Sequence, residues 1–186
     1  MTILRIGPRQ AAAVALFAGL TGVSAFVRIP LPGVPLTLQP AAVLLSGLLL
    51  GPLGGALSQA TYVTIGLMGA PVFAQGGGPG YVLNPTFGYL LGFIGGAAAA
   101  GAVAKDWRRA GSVRLAVAML LGLAVIYICG VSYLYWNINF LQGKAWTFYK
   151  TARIGFLAPL PGDLVKVLLL LFFIKILRKR EFSVLS

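Results

Sequence analysis

Long apolar runs separated by short proline-rich, glycine-rich or basic breaks set the pattern of this chain. The runs at 11–27, 87–103, 113–135 and 157–177 come close to or exceed the roughly 17–25 residues with which a helix crosses a bilayer. A shorter run at 41–50 stops at Gly51-Pro52-Leu53-Gly54-Gly55 before apolar character resumes over 56–68. We read two helices there, joined by a tight uncharged turn, because Pro and Gly both interrupt a helix. The pattern predicts an all-α integral membrane protein with six transmembrane helices in one domain, 1–186. Val23-Ser24-Ala25 could pass for a signal-peptidase site, but the apolar core before it exceeds the usual ~7–15 residues, so 11–27 is read as the first span.

Composition agrees and narrows the function. Hydrophobic residues make up 59% of the 186 residues, charged ones 10%, and mean hydropathy is +0.91, which leaves no room for a soluble domain. Net charge is +12, yet the 15 Lys and Arg cluster at the ends of the spans. Cytoplasmic excess and attraction to anionic membrane lipid account for them, and nucleic acid is not expected as a partner. With no His, one Cys and three acids, the usual metal and nucleophile–base sets cannot be assembled, so neither metal, cofactor nor catalysis is expected.

Three breaks are chemically unusual. Residues 28–40 carry four prolines in eleven positions, Pro30 to Pro40, which forbids a regular helix and favours an extended, semi-rigid loop. It is either a lid or a segment lying on the membrane surface. Residues 69–86 contain Gly76-Gly77-Gly78 and Gly78-Pro79-Gly80, whose freedom lets a main chain approach a ligand closely. Phe73 and Tyr81 offer flat apolar faces there, and Asn84 offers both a donor and an acceptor; a flexible outer loop is the alternative. Apart from these three, residues 137–158 mix Phe140, Trp146, Phe148 and Tyr149 with Lys144, Lys150 and Arg153, as an interfacial amphipathic stretch does. Small residues also recur at every fourth position: Ala11, Ala15 and Gly19; Gly47, Gly51 and Gly55; Gly88, Gly92 and Gly96. Such stripes allow helices to approach closely.

The third break is Pro159-Leu160-Pro161-Gly162-Asp163, followed by Lys166. If the last span begins near Phe156, Asp163 lies about 10 Å into it at 1.5 Å per residue. Each such charge costs roughly 2.5–3.5 kcal/mol at a helix centre, so it marks either a functional site or an ion pair that fixes helix packing. Six spans put both termini on one side with Arg5, Arg9, Lys105, Arg108, Arg109, Arg114, Lys175, Arg178, Lys179 and Arg180. That side is read as cytoplasmic, and the three breaks then open outward around one pocket for a small, partly apolar molecule.

These residues resemble a known family, the biotin-specific S components (BioY) of energy-coupling factor transporters. The matching runs are 28–39, Gly69 to Phe73 with Gly76 to Gly78, Tyr81 to Leu90, and Pro159 to Asp163 with Lys166. The resemblance implies a non-enzymatic plasma-membrane protein that captures biotin outside the cell and works with a transmembrane coupling subunit and two cytoplasmic ATPases. It implies polar ligand contacts at Asn84, Asp163 and Lys166, with Phe73, Tyr81, Gly78 and Gln39 completing the site. It also implies that Ala11 and Ala15 contact the coupling subunit. The stretch 113–158 carries no matching signature. S components for other vitamins, solitary carriers and, least favoured, membrane enzymes remain the rival readings.

Overall fold

The computed structural model describes residues 7–184, with side chains to Arg178. Arg5, and the side chains of Lys179 and Arg180, which counted toward the basic side, lie outside the described residues. The chain is predominantly helical: α1 Pro8–Ser24, α2 Gln39–Leu67, α3 Phe87–Ala104, α4 Ser112–Trp136, a short α5 Phe148–Ala152, and α6 Leu160–Val184. The expected six spans are found as five helices of 17 residues or more, because α2 absorbs two of them. The predicted five-residue turn shrinks to a kink at Gly51, with φ 75° and ψ 179°. Glycine tolerates that angle, and Pro52 starts the second half as a first helical residue that needs no N–H. The segments Gln39–Leu67, Phe87–Ala104 and Ser112–Leu141 are long and apolar enough to cross a membrane.

Packing follows the small-residue stripes. Helix α3 is the central element: a Cβ added at Gly92 would come within 2.8 Å of the Ile126 backbone, and one at Gly96 within 2.8 Å of the Gly122 carbonyl, so α3 and α4 touch almost backbone to backbone. On its other side Ala97 meets Gly47, and Gly55 packs on Gly47 across the α2 kink. Ala97, Ala100 and Ala104 are fully buried as a result. The α1 stripe behaves differently. Ala11, Ala15 and Gly19 are exposed, and Ala15 and Gly19 border an open apolar groove that Thr61, Tyr62 and Ile65 of α2 line on its other side.

At one end, the proline-rich segment forms a small hairpin in which β1 Arg28–Ile29 pairs antiparallel with β2 Leu36–Thr37. Val34 at its tip is buried, Gly33 abuts Ile154, and Leu36 packs over Gly162, while Ile29 stays exposed. Between α2 and α3 the chain makes a Phe73–Gly76 bridge and a 3₁₀ turn, Pro79–Leu83. The stretch after α4 is a π-helical turn Asn137–Leu141, a loop, α5 and a second π-helical turn Arg153–Leu157, with Phe140, Phe148 and Tyr149 exposed. Asn137 ties it to the glycine-rich segment by donating to the Leu83 carbonyl at 2.8 Å. At the opposite end Arg114 donates to the Val103 carbonyl at 2.8 Å, Arg178 donates to the Trp107 carbonyl, and Arg108 lies 4.9 Å from the Trp107 ring centre. The basic residues thus double as caps for orphan carbonyls at the ends of α3 and its turn.

Two matched substitutions test this packing. Gly47→Ala drives a methyl group into the Ala97 backbone and lowers stability by about 1–3 kcal/mol, the usual cost of overpacking. Gly19→Ala, with no neighbour within 4 Å, leaves the thermal midpoint in detergent unchanged or slightly raised. Equal midpoints for the two variants would contradict the backbone approach of α2 to α3.

Candidate functional site

A cleft of about 540 Å³, its mouth included, opens at the hairpin end. All three unusual segments line it: Val34 to Thr37, Gln39 and Pro40 from the hairpin side, Ala74, Tyr81 and Thr86 from the glycine-rich side, and Pro159 and Asp163 from the head of α6. Helices α3 and α4 close it with Tyr89, Leu90, Phe93, Ile126 and Tyr127. The walls are therefore largely aromatic and aliphatic, with a few polar groups at fixed points, as in small-molecule sites generally.

Asp163 is the deepest charge. It is 4% exposed, and both carboxylate oxygens are engaged: Oδ2 accepts from the Tyr127 hydroxyl at 2.5 Å, and Oδ1 pairs with the Lys166 ammonium. The spacing of three residues places the two α6 side chains on one face, as the sequence led us to expect. Lys166 then reaches across to the hairpin and donates to the Thr37 carbonyl at 2.5 Å. It does not line the cleft but stands behind Asp163, bordering a separate apolar groove between α1, the start of α2 and α6. A buried carboxylate and ammonium stay charged together only with such mutual and hydrogen-bonded compensation.

The remaining predicted residues divide into liners and braces. Gln39 lines the cleft and is wired on both ends of its amide, donating to the Tyr62 hydroxyl at 2.6 Å and accepting from the Thr37 hydroxyl at 3.1 Å. Tyr62 donates onward to the Val72 carbonyl at 3.1 Å, so one chain of bonds joins hairpin, α2 and glycine-rich segment. Tyr81 lines the cleft as well. Since the Thr86 hydroxyl donates to Asn84, the Tyr81 hydroxyl donates to Thr86 at 3.2 Å; burial pushes the Tyr81 phenol above its ordinary range. Phe73 is buried behind Tyr81, ring centres 4.6 Å apart, and supports the wall without lining it. Gly78 adopts φ 95°, and its N–H donates to the Gly66 carbonyl at 2.7 Å, anchoring the loop to the end of α2. Asn84 is spent locally: its amide donates to Gln75 at 2.8 Å, and its carbonyl accepts from both the backbone N–H and the hydroxyl of Thr86, at 2.9 and 2.8 Å.

Sequence reasoning missed the contributions of α3 and α4, above all Tyr89 and Tyr127. The available signal was a phenolic hydroxyl in the middle of an otherwise apolar run, a polar group that must find a partner there. Among the described residues no group of His, Cys, Asp and Glu could hold a metal ion.

The comparisons with known proteins bear on the whole chain. Its sequence matches the family profile described as "BioY family" over residues 1–181. It is 43% identical to a "Probable biotin transporter BioY" of Lysinibacillus sphaericus, over 81% of this chain and 76% of that one. It is 36% identical to the "Biotin transporter BioY" of Thermotoga maritima, over 93% of this chain and 98% of that one. Its fold superposes with a TM-score of 0.79 on the crystal structure of an S-component for biotin from an ECF-type ABC transporter, at 23% identity, covering 92% of this chain and 91% of that chain. A profile match over nearly every residue, relatives aligned along most of their length and a shared fold leave one assignment: the chain belongs to the BioY family.

Proposed function

We propose that this protein is a biotin-capturing S component: it binds biotin from outside the cell in the cleft beneath the hairpin. It passes the vitamin across the membrane with a transmembrane coupling subunit and two cytoplasmic ATPases. The observation that carries the reading is a buried carboxylate facing a small apolar cleft, in a chain whose curated relatives are biotin transporters. The ureido ring of biotin presents two N–H donors and one carbonyl acceptor. The two N–H groups point to opposite sides of the ring, so Asp163 accepts from one of them, and charge-assisted bonds in a dry cleft are the stronger kind. Lys166 acts from behind: it pairs with Asp163 and ties it to the Thr37 carbonyl, which keeps the carboxylate in place for the ligand. The fused rings and the tail pack on Tyr81, Tyr89, Phe93 and the hairpin. No step here needs a bond made or broken by the protein.

In this reading the helical halves of α2 on either side of Gly51 count as two spans, giving six in all. The end bearing Arg9, Lys105, Arg108, Arg109, Arg114 and Arg178 faces the cytoplasm with both termini, in the plasma membrane. The exposed Ala11 and Ala15 stripe on α1, which borders an open groove beside α2, offers the coupling subunit a surface for close helix approach.

Calorimetry on the purified protein, without ATP or metal, is expected to detect biotin binding and no binding of riboflavin or thiamine. Heat from another vitamin and none from biotin would overturn the ligand. Asp163→Asn and Lys166→Met are each expected to weaken biotin binding by more than about tenfold, or roughly 1.4 kcal/mol. The double variant relieves the burial of a lone charge and should recover thermal stability without recovering binding; restored binding would make the pair purely structural.

Asn84 calls for a separate measurement, because its amide already braces the loop. Asn84→Ala is expected to raise hydrogen–deuterium exchange at Thr86 and across 75–83 in the ligand-free protein. Exchange unchanged from wild type would return Asn84 to a role as a direct ligand contact. For the partner surface, Ala11→Trp and Ala15→Trp should each reduce pull-down of the coupling subunit at least several-fold while biotin affinity stays within about twofold. Undiminished assembly with both would remove the stripe from the interface.

A further inference from the structure

Asp163 can serve a ligand only if its carboxylate faces the cleft, and the strongest pull on it points elsewhere. The Lys166 ammonium stands behind it, outside the cleft lining, and in a low-dielectric setting it would draw both oxygens toward itself. What opposes that pull is Tyr127. Of the two α4 residues at the cleft, Ile126 and Tyr127, only the tyrosine carries a polar group, and its hydroxyl donates to Asp163 Oδ2 at 2.5 Å.

The phenol has little freedom to point anywhere else. Phe156 meets it edge-on at 5.0 Å and 82°, and Tyr89 meets it edge-on at 6.4 Å and 85°, so the ring is wedged between the wall of α3 and the turn before α6. Tyr89 cannot take over the task, because its own hydroxyl is committed to the Gly155 carbonyl at 2.7 Å. A carboxylate has about four lone-pair positions. Tyr127 and Lys166 take one on each oxygen from two different helices, which fixes the plane of the group and leaves its remaining lone pairs for the cleft.

We infer that Tyr127 is a positioning and specificity-determining residue of this site: it holds the Asp163 carboxylate turned toward the cleft so that a free lone pair meets one ring N–H of a neutral cyclic urea. The inference rests on the biotin reading above and adds a residue from α4, the helix that carries no family signature. Without the phenolic hydroxyl, Asp163 closes onto Lys166 and the ligand loses its acceptor, while the packing of the ring is retained.

The test is a double-mutant cycle of Tyr127→Phe and Asp163→Asn in the full-length protein, with biotin affinity read by displacement of a labelled biotin and thermal midpoints read alongside. Tyr127→Phe is expected to weaken biotin about tenfold in the wild-type background and by less than about threefold in the Asp163→Asn background, because the residue acts through the carboxylate. A loss of about tenfold in both backgrounds would show that Tyr127 acts by packing and overturn the inference. So would a Tyr127→Phe protein that binds within about twofold of wild type. The midpoints guard against a folding defect: Tyr127→Phe keeps the ring between Phe156 and Tyr89, so its ligand-free midpoint should stay near wild type, and an affinity loss seen only together with a collapsed midpoint would count against the inference. Should the wild-type protein itself fail to bind biotin, the ligand assignment falls first, a result distinct from any of these.

Discussion

A largely buried lysine ammonium in the second turn of α6 has to be compensated on the spot, and the arrangement of the hairpin end follows from how that is done. Lys166 takes one acceptor from its own helix, Asp163, and one from the hairpin, the Thr37 carbonyl. The pair therefore fastens the proline-rich segment to α6 at the same point where it makes a carboxylate available to the cleft. Losing either partner strands a charge in a low-dielectric place, at a cost of several kcal/mol in comparable buried pairs. The polarity of the cleft and local stability thus rest on the same three groups.

The scaffold around this end is stiff. Helices α2, α3 and α4 meet through glycines and alanines, close enough that backbone atoms set the distance. In lipid, where apolar surface alone gives helices no reason to associate, such contact is a main source of packing energy. It keeps Tyr62, Tyr89 and Tyr127 in register. The hairpin and glycine-rich segment join that core through Val34, Phe73 and Tyr81, and a chain of single hydrogen bonds through Gln39, Tyr62 and Val72, with the Lys166 tie, fixes their register over the cleft.

Much of this was legible in the sequence because hydrophobicity and punctuation are local properties. The long runs became helices within a few residues of their expected ends, and the three odd segments came together around one cleft. The α2 kink was foreseen as a turn but not as a single residue, since a chain pattern does not say how sharply a glycine will bend. Lys166 and Asn84 were read as ligand contacts from the family resemblance and from donors and acceptors that suit the ligand. Which partners such groups take within the protein depends on residues far away in the chain, such as Thr37 for Lys166, or on a loop's path, such as Gln75 for Asn84. Tyr127 could be picked out as a phenol in an apolar run, but its partner, a carboxylate 36 residues away, could not.

The kink at Gly51 has a consequence for the depth of the cleft. The half of α2 from Gln39 to the kink holds about 12 residues and is roughly 18 Å long, against about 30 Å of hydrocarbon. The turn lies beside Gly101, about one turn before Lys105, and Gln10 stands next to Gly54 just beyond it, so it sits at the basic end with Arg9. A short half that starts there leaves its other terminus, Gln39, well inside the hydrocarbon thickness. The polar groups that line the cleft around Gln39 are thus held at a depth where lipid, not water, surrounds the helices.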